Sequence, residues 1–243
     1  MKKDVHYWYS PNLRKDMPIA VYGDYGMPLL LFPTAAADFE EYERFQLIDA
    51  IAAHIYSGRV KVYSINSINR ESWLNDELHP KYKAIRQVQY NNYIANEVVP
   101  YIWNSCKGRF GIITAGASLG AFHCANQLFR RPDLFAGCLA MSGAYDIRDY
   151  YKGDYYDENV YFNNPVDYVD GMSDPAILGQ LAHCDIHLVT GTGPWEHSGP
   201  SYRMAEILRT KGIPHSLDDW GPQGGHDWPY WHHQMWTYVN QAF

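Results

Sequence analysis

The sequence predicts a doubly wound α/β fold with a mostly parallel sheet, and three observations support this fold class. Short apolar runs that are rich in aliphatic and β-branched residues recur along all 243 residues. Segments with the apolar spacing of helices separate most of these runs, and the first two runs come before any such segment. Because strands that alternate with helices are typical of parallel sheets covered on both faces, we expect antiparallel pairing only among the N-terminal edge strands.

Each predicted strand is an apolar run bounded by turn residues. The first strand is HYWYSP, and a polar turn separates it from the second strand near 18–23, which suits an antiparallel pair. The later strands follow in chain order at 28–33, 59–65, 109–115, 137–143, 185–191 and 215–221.

Three segments between the strands have clear helical spacing. One helix is predicted over 39–55. A second begins near Pro80 and should bend or end near Pro100, because proline cannot donate a helical hydrogen bond. A third covers 201–211 and stops at Gly212. The apolar face of the first helix is formed by Phe45, Ile48, Ile51, Ala52 and Ile55.

The segment 143–175 interrupts the alternation, since it is too polar and aromatic for a core strand and too long for an ordinary loop. It follows a strand, so it should emerge at the carboxyl edge of the sheet, where open α/β folds bind ligands. Long excursions in compact domains tend to be functional. We interpret this segment as a lid-like aromatic insertion in a single domain that covers 1–243.

Composition and charge exclude several classes of function. The net charge is −7 and the 20 Lys and Arg residues are scattered, so no nucleic-acid partner is expected. The first residues lack an apolar stretch of the length that a secretory signal or a membrane span needs, which predicts a cytoplasmic protein with no membrane partner. The four cysteines form no CxxC pair and are interpreted as buried free thiols. No ligand spacing indicates a metal site.

A lone serine stands between two glycines where a predicted strand should become a helix. The stretch IITAGASLGAFHCANQLF contains Gly116, Ser118 and Gly120 in the pattern GxSxG. A sharp strand-to-helix turn strains its central residue and requires small residues two positions away on either side. Such a turn lifts the Ser118 hydroxyl above the sheet edge. We interpret the pattern as a nucleophile elbow, and the alternative is a glycine-rich turn with an incidental serine.

A serine hydroxyl is a poor nucleophile until a base removes its proton, and His226 is the predicted base. It lies in the glycine-rich stretch GPQGGHDWPYW, directly after the last predicted strand and before the last helix, where this architecture places the base. His123 lies on the helix after Ser118, and His232 and His233 lie in the last helix. We interpret these three as structural or surface residues.

The third partner is an acid that holds the other nitrogen of the imidazole. In chain order it should lie between the nucleophile and the base, at the end of the penultimate strand. Glu196 is the first carboxylate after that strand, and Asp146, after the preceding strand, is its main rival. Less suitable carboxylates, within the last strand or next to the base, are Asp218, Asp219 and Asp227.

The negative charge that develops on a substrate oxygen needs two backbone N–H donors. The first should be the N–H of Leu119, the residue after the serine. The second should come from the loop TAAADF, which follows the strand PLLLFP and in which Ala35 or Ala36 would serve. We take Ala35 as the donor.

Taken together, these residues resemble the putative-esterase branch of the α/β-hydrolases, which includes esterase D-like enzymes, feruloyl esterase-like enzymes and mycolyltransferases. The matching stretches span nearly the whole chain and are LLLFPTAAADFEEYERF, SINRESW, AGASLGAFHCANQLF, YFNNPVDY and GIPHSLDDWGPQGGHDWPYW. The resemblance implies an α/β-hydrolase fold and an ester-cleaving serine enzyme with Ser118 as nucleophile, His226 as base and an acid at Glu196. It also implies no cofactor.

The leading hypothesis is a serine esterase that hydrolyses a small-molecule carboxylic ester through an acyl-enzyme. Two alternatives stay open: an acyltransferase that delivers the same acyl group to an alcohol, and a non-catalytic ligand-binding protein on the same scaffold. Tyr145, Trp195 and Trp228 flank the predicted loops and are predicted to contact the substrate.

Overall fold

The computed structural model describes residues 1–151 and 155–241. Residues 152–154 of the predicted insertion and the last two residues of the predicted domain lie outside these ranges. All the strands predicted above are present, and they are β1 (Lys3–Ser10), β2 (Lys15–Tyr22), β3 (Met27–Phe32), β4 (Val60–Ile65), β5 (Ile112–Ala117), β6 (Phe135–Met141), β7 (Asp185–Thr190) and β8 (Ser216–Asp219).

Within the described residues, the strands form one sheet in the order β1-β2-β4-β3-β5-β6-β7-β8. β2 runs antiparallel to both of its neighbours, β1 and β4, and the other neighbouring pairs are parallel. The prediction of a doubly wound, mostly parallel sheet with antiparallel N-terminal edge strands is therefore confirmed. The carboxyl ends of β3 and of β5 to β8 meet at one edge, which is called the carboxyl edge below.

Helices connect the strands on both faces of the sheet. They are α1 (Glu41–Arg44), α2 (Leu47–Ala50), α3 (Ala52–Tyr56), α4 (Pro80–Tyr93), α5 (Val99–Ser105), α6 (Leu119–Arg130), α7 (Glu158–Tyr161), α8 (Pro165–Tyr168), α9 (Pro175–Leu181), α10 (Gly199–Thr210) and α11 (Trp228–Gln241). Short 3-10 turns cover Asn69–Glu71, Ile147–Tyr150 and Gly221–Gln223, and a π-helical turn covers Ile94–Val98.

The single helix predicted over 39–55 is wrong, because the segment is divided into the short helices α1, α2 and α3. Gln46 breaks it with a left-handed backbone, φ 63°. Phe45, which the periodicity placed on the buried face, is 43% exposed. Its ring stacks on Trp228 of α11 with centroids 4.6 Å apart. A tertiary contact with the last helix thus overrides the local helical pattern.

The helix predicted to begin near Pro80 continues past Pro100. α4 leads into the π-helical turn, which leads into α5, and Pro100 lies in the first turn of α5. Proline cannot donate a hydrogen bond to the carbonyl four residues earlier, and the π-helical turn just before Pro100 lets the helix continue without that bond. Farther along the chain, α10 ends near Gly212, whose φ is 69°.

The core has two layers, one on each face of the sheet. Along β3, Leu30 points into the layer that includes residues of α4 and α6, whereas Leu29 and Leu31 point into the layer that includes residues of α11. Neighbouring residues of a strand point to opposite faces, so burial on both faces explains why this strand is a continuous apolar run.

The segment 143–175 is packed against the body of the protein in its described part. Ile147, Val160 and Val169 are fully buried. Its action as a lid stays a prediction.

Two further features bear on the predicted classes of function. Cys124 and Cys138 are buried free thiols as expected, whereas Cys106 and Cys184 are only half-buried. Among residues 1–151 and 155–241, no helix combines the length and the apolar character needed to cross a membrane.

Candidate active site

Ser118 lies at the corner between β5 and α6, on the carboxyl edge of the sheet. Its backbone has φ 56° and ψ −122°, which is outside the usual regions for a residue with a side chain. Its N–H donates to the carbonyl oxygen of Met141 at the end of β6, 2.9 Å away. The residues on either side are buried, whereas Ser118 itself is partly exposed. The strained turn therefore leaves Ser118 partly exposed at the end of a buried strand.

The two glycines around Ser118 are required by close backbone contacts. A Cβ on Gly116 would lie 2.4 Å from the carbonyl carbon of Gly120. A Cβ on Gly120 would lie 2.3 Å from the carbonyl oxygen of Phe32, at the end of β3. Side chains at either position would separate the start of α6 from β5 and β3. These contacts account for the spacing GxSxG at this corner.

His226 lies in the loop between β8 and α11. Its backbone N–H donates to the carbonyl oxygen of Pro194, 2.9 Å away, in the loop after β7. These two loops also touch at glycines, because a Cβ on Gly191 would lie 2.2 Å from the carbonyl oxygen of Gly224. The His226 side chain is 32% exposed, and its ring lies edge-on to Trp231 with centroids 5.2 Å apart. The ring is thus held at the carboxyl edge with one side open.

Glu196 is the acid that faces His226. Its Oε2 lies 3.6 Å from Nδ1 of His226, slightly longer than a normal hydrogen bond, and its side chain is only 1% exposed. The other oxygen accepts a hydrogen bond from the Thr190 hydroxyl at 2.8 Å. Burial opposes ionisation of this carboxyl, but interactions with His226, Ser142 and Thr190 outweigh the burial and lower its pKa. A buried negative charge therefore lies next to the imidazole.

Ser142, Thr190 and Trp231 support this pair and were missed by the sequence reasoning. Trp231 Nε1 donates to the Ser142 hydroxyl at 3.0 Å, which leaves the Ser142 proton free to be donated to Glu196. Ser142 has a left-handed backbone, φ 52°, directly after β6. Polar residues at the ends of β6 and β7 are the signal that the sequence offered for Ser142 and Thr190.

The rival carboxylates have other partners. Asp146 pairs with Arg148 and Arg203 at 2.6 and 2.8 Å. Asp218 accepts from the Tyr238 hydroxyl, and Asp219 from the Tyr202 hydroxyl at 2.7 Å. Asp227 accepts from the N–H of Trp228 at 2.7 Å and so braces the start of α11. Among these carboxylates, Glu196 alone forms an ion pair with His226 in the described residues.

The loop 33–39, between β3 and α1, lies beside the elbow. Ala35 has φ 24°, and the N–H groups of Ala35 and Ala36 have no hydrogen-bond partner within the described ranges. The Glu41 carboxylate binds both the N–H and the hydroxyl of Thr34 at 2.7 Å. As the first residue of α6, Leu119 has no helical acceptor for its N–H. Unpaired N–H groups are therefore present on both the loop and the helix start.

Tyr42 connects this loop to the elbow. Its buried hydroxyl donates to the carbonyl oxygen of Phe32 at 2.7 Å and accepts from the N–H of Ala117 at 3.3 Å. One side chain of α1 thus holds together the ends of β3 and β5.

The other histidines have structural surroundings. His123 is fully buried on α6, and His232 Nε2 contacts the carbonyl oxygen of Phe45 at 2.7 Å. The ring of His233 lies edge-on to Trp220. No group of His, Cys, Asp and Glu residues with the arrangement of a metal site is found in the part of the chain that the structure describes.

The three residues predicted to contact a substrate have different environments. Tyr145 has no exposed surface and belongs to the core, so its prediction as a substrate contact is corrected. Trp228 is half-buried between Phe45 and Trp231. Trp195 is 88% exposed and has φ 63°, directly before Glu196.

The family model described as "Putative esterase" matches residues 12–241. Among solved structures, a ferulic acid esterase matches with a TM-score of 0.75 and 20% identity, covering 100% of this chain and 99% of that chain. An S-formylglutathione hydrolase from Agrobacterium tumefaciens matches with a TM-score of 0.73 and 12% identity, covering 98% and 93%. The ferulic acid esterase AmCE1/Fae1A from the anaerobic fungus Anaeromyces mucronatus matches with a TM-score of 0.68 and 13% identity, covering 99% and 90%. These similarities show an α/β-hydrolase fold. A comparison with curated proteins finds no match.

Proposed function

The chain belongs to the Putative esterase family, and from this premise we propose that it is a serine esterase with Ser118 as nucleophile, His226 as general base and Glu196 as the acid. Family membership places it among the carboxylic ester hydrolases. The proposed substrate is a small-molecule carboxylic ester, and the proposed catalytic groups are side chains and backbone N–H groups of the protein.

The observation that carries the proposal is the pairing of His226 with the buried carboxylate of Glu196. Nδ1 of His226 lies 3.6 Å from the Glu196 carboxylate, which favours the ring proton on Nδ1. The neutral imidazole then has its lone pair on Nε2, which is the tautomer that a base for Ser118 requires. Ser118, Glu196 and His226 follow β5, β7 and β8 respectively, which agrees with the order Ser, acid, His in this architecture.

The proposed reaction has two similar halves. Ser118 Oγ attacks the ester carbonyl carbon while Nε2 of His226 takes the hydroxyl proton. The N–H of Leu119 and an N–H of the loop 33–39, from Ala35 or its neighbour Ala36, stabilise the oxyanion. The imidazolium then gives its proton to the leaving alkoxide, and the alcohol departs. Water attacks the acyl-enzyme in the same way and releases the carboxylic acid.

Trp195 and Trp228 are proposed as substrate contacts. Trp195 presents an exposed ring next to the acid, and Trp228 begins α11 two residues after the base. An exposed tryptophan offers a large apolar surface at little cost in side-chain entropy. Neither ring has a role in the proton transfers.

Labelling with a fluorophosphonate probe, followed by intact mass and peptide mapping, tests the nucleophile. We expect the probe to label Ser118, and Ser118→Ala to lose labelling and at least about 10⁴-fold of kcat with an activated aryl ester. The control Ser57→Ala removes an exposed hydroxyl that donates to the His54 carbonyl oxygen, and it should behave as wild type. Wild-type hydrolysis by Ser118→Ala would falsify the proposal.

Product analysis with an added alcohol separates the esterase from the two alternatives. We expect the free carboxylic acid to be the main product. Transfer to the alcohol that outruns hydrolysis would replace the proposal by the acyltransferase. An unlabelled and inactive wild-type protein that still binds esters would replace it by the binding protein.

A further inference from the structure

A buried pair of polar side chains lies between the nucleophile helix α6 and the loop 33–39, and the proposed reaction does not use it. Asn69, in the 3-10 turn after β4, and His123, on α6, are both fully buried. Asn69 Nδ2 donates to the carbonyl oxygen of Ala35, and Asn69 Oδ1 lies 2.8 Å from His123 Nε2. The pair therefore connects the helix that begins after Ser118 to the loop with the unpaired N–H groups.

The chemistry of the contacts fixes their direction. A carbonyl oxygen can only accept, so the Asn69 amide must turn its NH₂ toward Ala35 and its oxygen toward His123. His123 must then carry its proton on Nε2 and donate it. Its Nδ1 is buried without a hydrogen-bond partner in the described residues, and burial lowers its pKa to about 3. The imidazole is thus a neutral donor at physiological pH, held among the rings of Phe32, Tyr90 and Phe122.

The bond from Asn69 falls on a strained part of the loop. Ala35 has φ 24°, a left-handed backbone that alanine adopts only when its surroundings hold it there. The peptide between Ala35 and Ala36 is trans, so its N–H points away from the carbonyl that Asn69 binds. Asn69 therefore anchors one face of this peptide and leaves the N–H of Ala36 free on the other. Ser67 adds a second anchor at the carbonyl of Ala37, 2.8 Å away.

The pair also reaches the first oxyanion donor through the helix. His123 is four residues after Leu119 on α6, and residues four apart lie on the same face of a helix. A chain of contacts thus runs from the helix start, through His123 and Asn69, to the loop that provides the second donor.

We propose that Asn69 and His123 are positioning residues that hold the loop 33–39 against α6, so that the loop N–H and the Leu119 N–H converge on one oxyanion. This inference rests on the proposed function. The two residues do not contact the substrate, and they act by keeping the strained peptide at Ala35 in place. Without them the loop relaxes, and the stabilisation lost is that of the transition state rather than that of the bound ester.

The experiment uses Asn69→Asp, which keeps the shape of the side chain. In its ionised form, one carboxylate oxygen still accepts from His123, while the other repels the carbonyl oxygen of Ala35 and breaks that bond; the assay is run at alkaline pH because burial raises the pKa of the new carboxyl. We expect kcat for an activated aryl ester to fall roughly 10- to 100-fold with little change in KM, below the about 10²- to 10³-fold cost of losing an oxyanion donor. The affinity for a trifluoromethyl ketone, which forms an oxyanion on the serine, should fall by the same factor.

Asn163→Asp is the matched control. Asn163 is also fully buried, donates to the carbonyl oxygen of Asn159 at 2.8 Å and accepts from Asn91 Nδ2 at 2.6 Å, away from the site. It should lose as much thermal stability as Asn69→Asp while it keeps kcat and the affinity for the trifluoromethyl ketone. If kcat and the affinity for the trifluoromethyl ketone fell equally in Asn69→Asp and Asn163→Asp, Asn69 would be only a structural residue.

His123→Phe provides a second test that does not depend on the folding of Asn69→Asp. Phenylalanine fits the aromatic surroundings and removes the donor to Asn69, so we expect a smaller loss of ketone affinity, about 3- to 10-fold. The double variant should be no worse than Asn69→Asp, because both changes break one chain of contacts. Wild-type kcat and ketone affinity in the His123 variant would overturn the proposal. If the fluorophosphonate probe did not label Ser118 in the wild type, the proposed function on which this inference rests would be overturned instead.

Discussion

Replacing Glu196 by glutamine removes one negative charge from the proposed site and leaves the shape of the side chain almost unchanged. Oε2 of Glu196 lies 3.6 Å from Nδ1 of His226, and the other oxygen binds the Thr190 hydroxyl. In the variant, the amide oxygen can still accept the Nδ1 proton while the NH₂ group donates to the hydroxyl oxygen. The substitution therefore tests the charge and leaves the tautomer of His226 in place.

The size of the effect follows from this distance. Two unit charges 3.6 Å apart interact by about 4.6 kcal/mol at an effective dielectric constant of about 20, and about 1.4 kcal/mol changes a rate tenfold. This energy stabilises the imidazolium that forms when the serine proton is transferred. We expect kcat for an activated aryl ester near neutral pH to fall roughly 10³-fold. KM should change little, because the Glu196 side chain is only 1% exposed and does not reach a bound ester.

Glu97→Gln is the control for the loss of a hydrogen-bonded carboxylate. Glu97 accepts from Trp8 Nε1 and from the Ser10 hydroxyl, both at 2.8 Å, on β1. This variant should unfold at a lower temperature and keep the wild-type kcat. If Glu196→Gln retained kcat within about threefold of wild type, the electrostatic reasoning would be refuted and another group would have to supply the acid.

Two further substitutions test the elbow and the insertion. Gly120→Ala should lower the melting temperature by about 2–12 °C, because its Cβ would lie 2.3 Å from the carbonyl oxygen of Phe32, and overpacking costs about 1–3 kcal/mol. The control Gly179→Ala, whose Cβ would meet nothing within 4 Å, should be at least as stable as wild type by calorimetry; equal melting temperatures would contradict the clash. Asp146→Asn should lower the free energy of unfolding in urea by about 1 kcal/mol near neutral pH. Burial opposes ionisation of Asp146, but Arg148 outweighs it and lowers the pKa from 3.8 to about 2. A depressed pKa stabilises the fold fully at pH values above 3.8, and this stabilisation disappears as the pH falls through about 2. If Asp146→Asn lowered the free energy of unfolding as much below about pH 2 as near neutral pH, the assignment would be contradicted.

The strands were predictable because each one corresponds to a local pattern in the sequence. β3 and β5 are buried on both faces, so they are continuous apolar runs bounded by turn residues, and no distant contact is needed to recognise them. The elbow was predictable for the same reason. Backbone contacts around one sharp corner require glycine at Gly116 and Gly120, and the pattern GxSxG in the sequence reflects that geometry.

The candidate residues His226 and Glu196 required a rule of chain order in addition to local pattern. In the structure, both residues follow strands whose carboxyl ends meet at one edge. The prediction of one helix over 39–55 failed because periodicity describes only one face of a regular helix. The left-handed backbone of Gln46 and the stacking of Phe45 on Trp228 depend instead on a helix nearly two hundred residues away.

By itself, the sequence determined the order of the strands along the chain, the corner that carries Ser118 and the loops that carry His226 and Glu196. Only the tertiary structure decided how these groups are supported. Asn69 reaches Ala35 across 34 positions and His123 across 54, and Trp231 reaches Ser142 across 89. Such contacts depend on distance in space, which the folding of the sheet sets, and a buried donor can donate to any nearby oxygen regardless of its place in the chain.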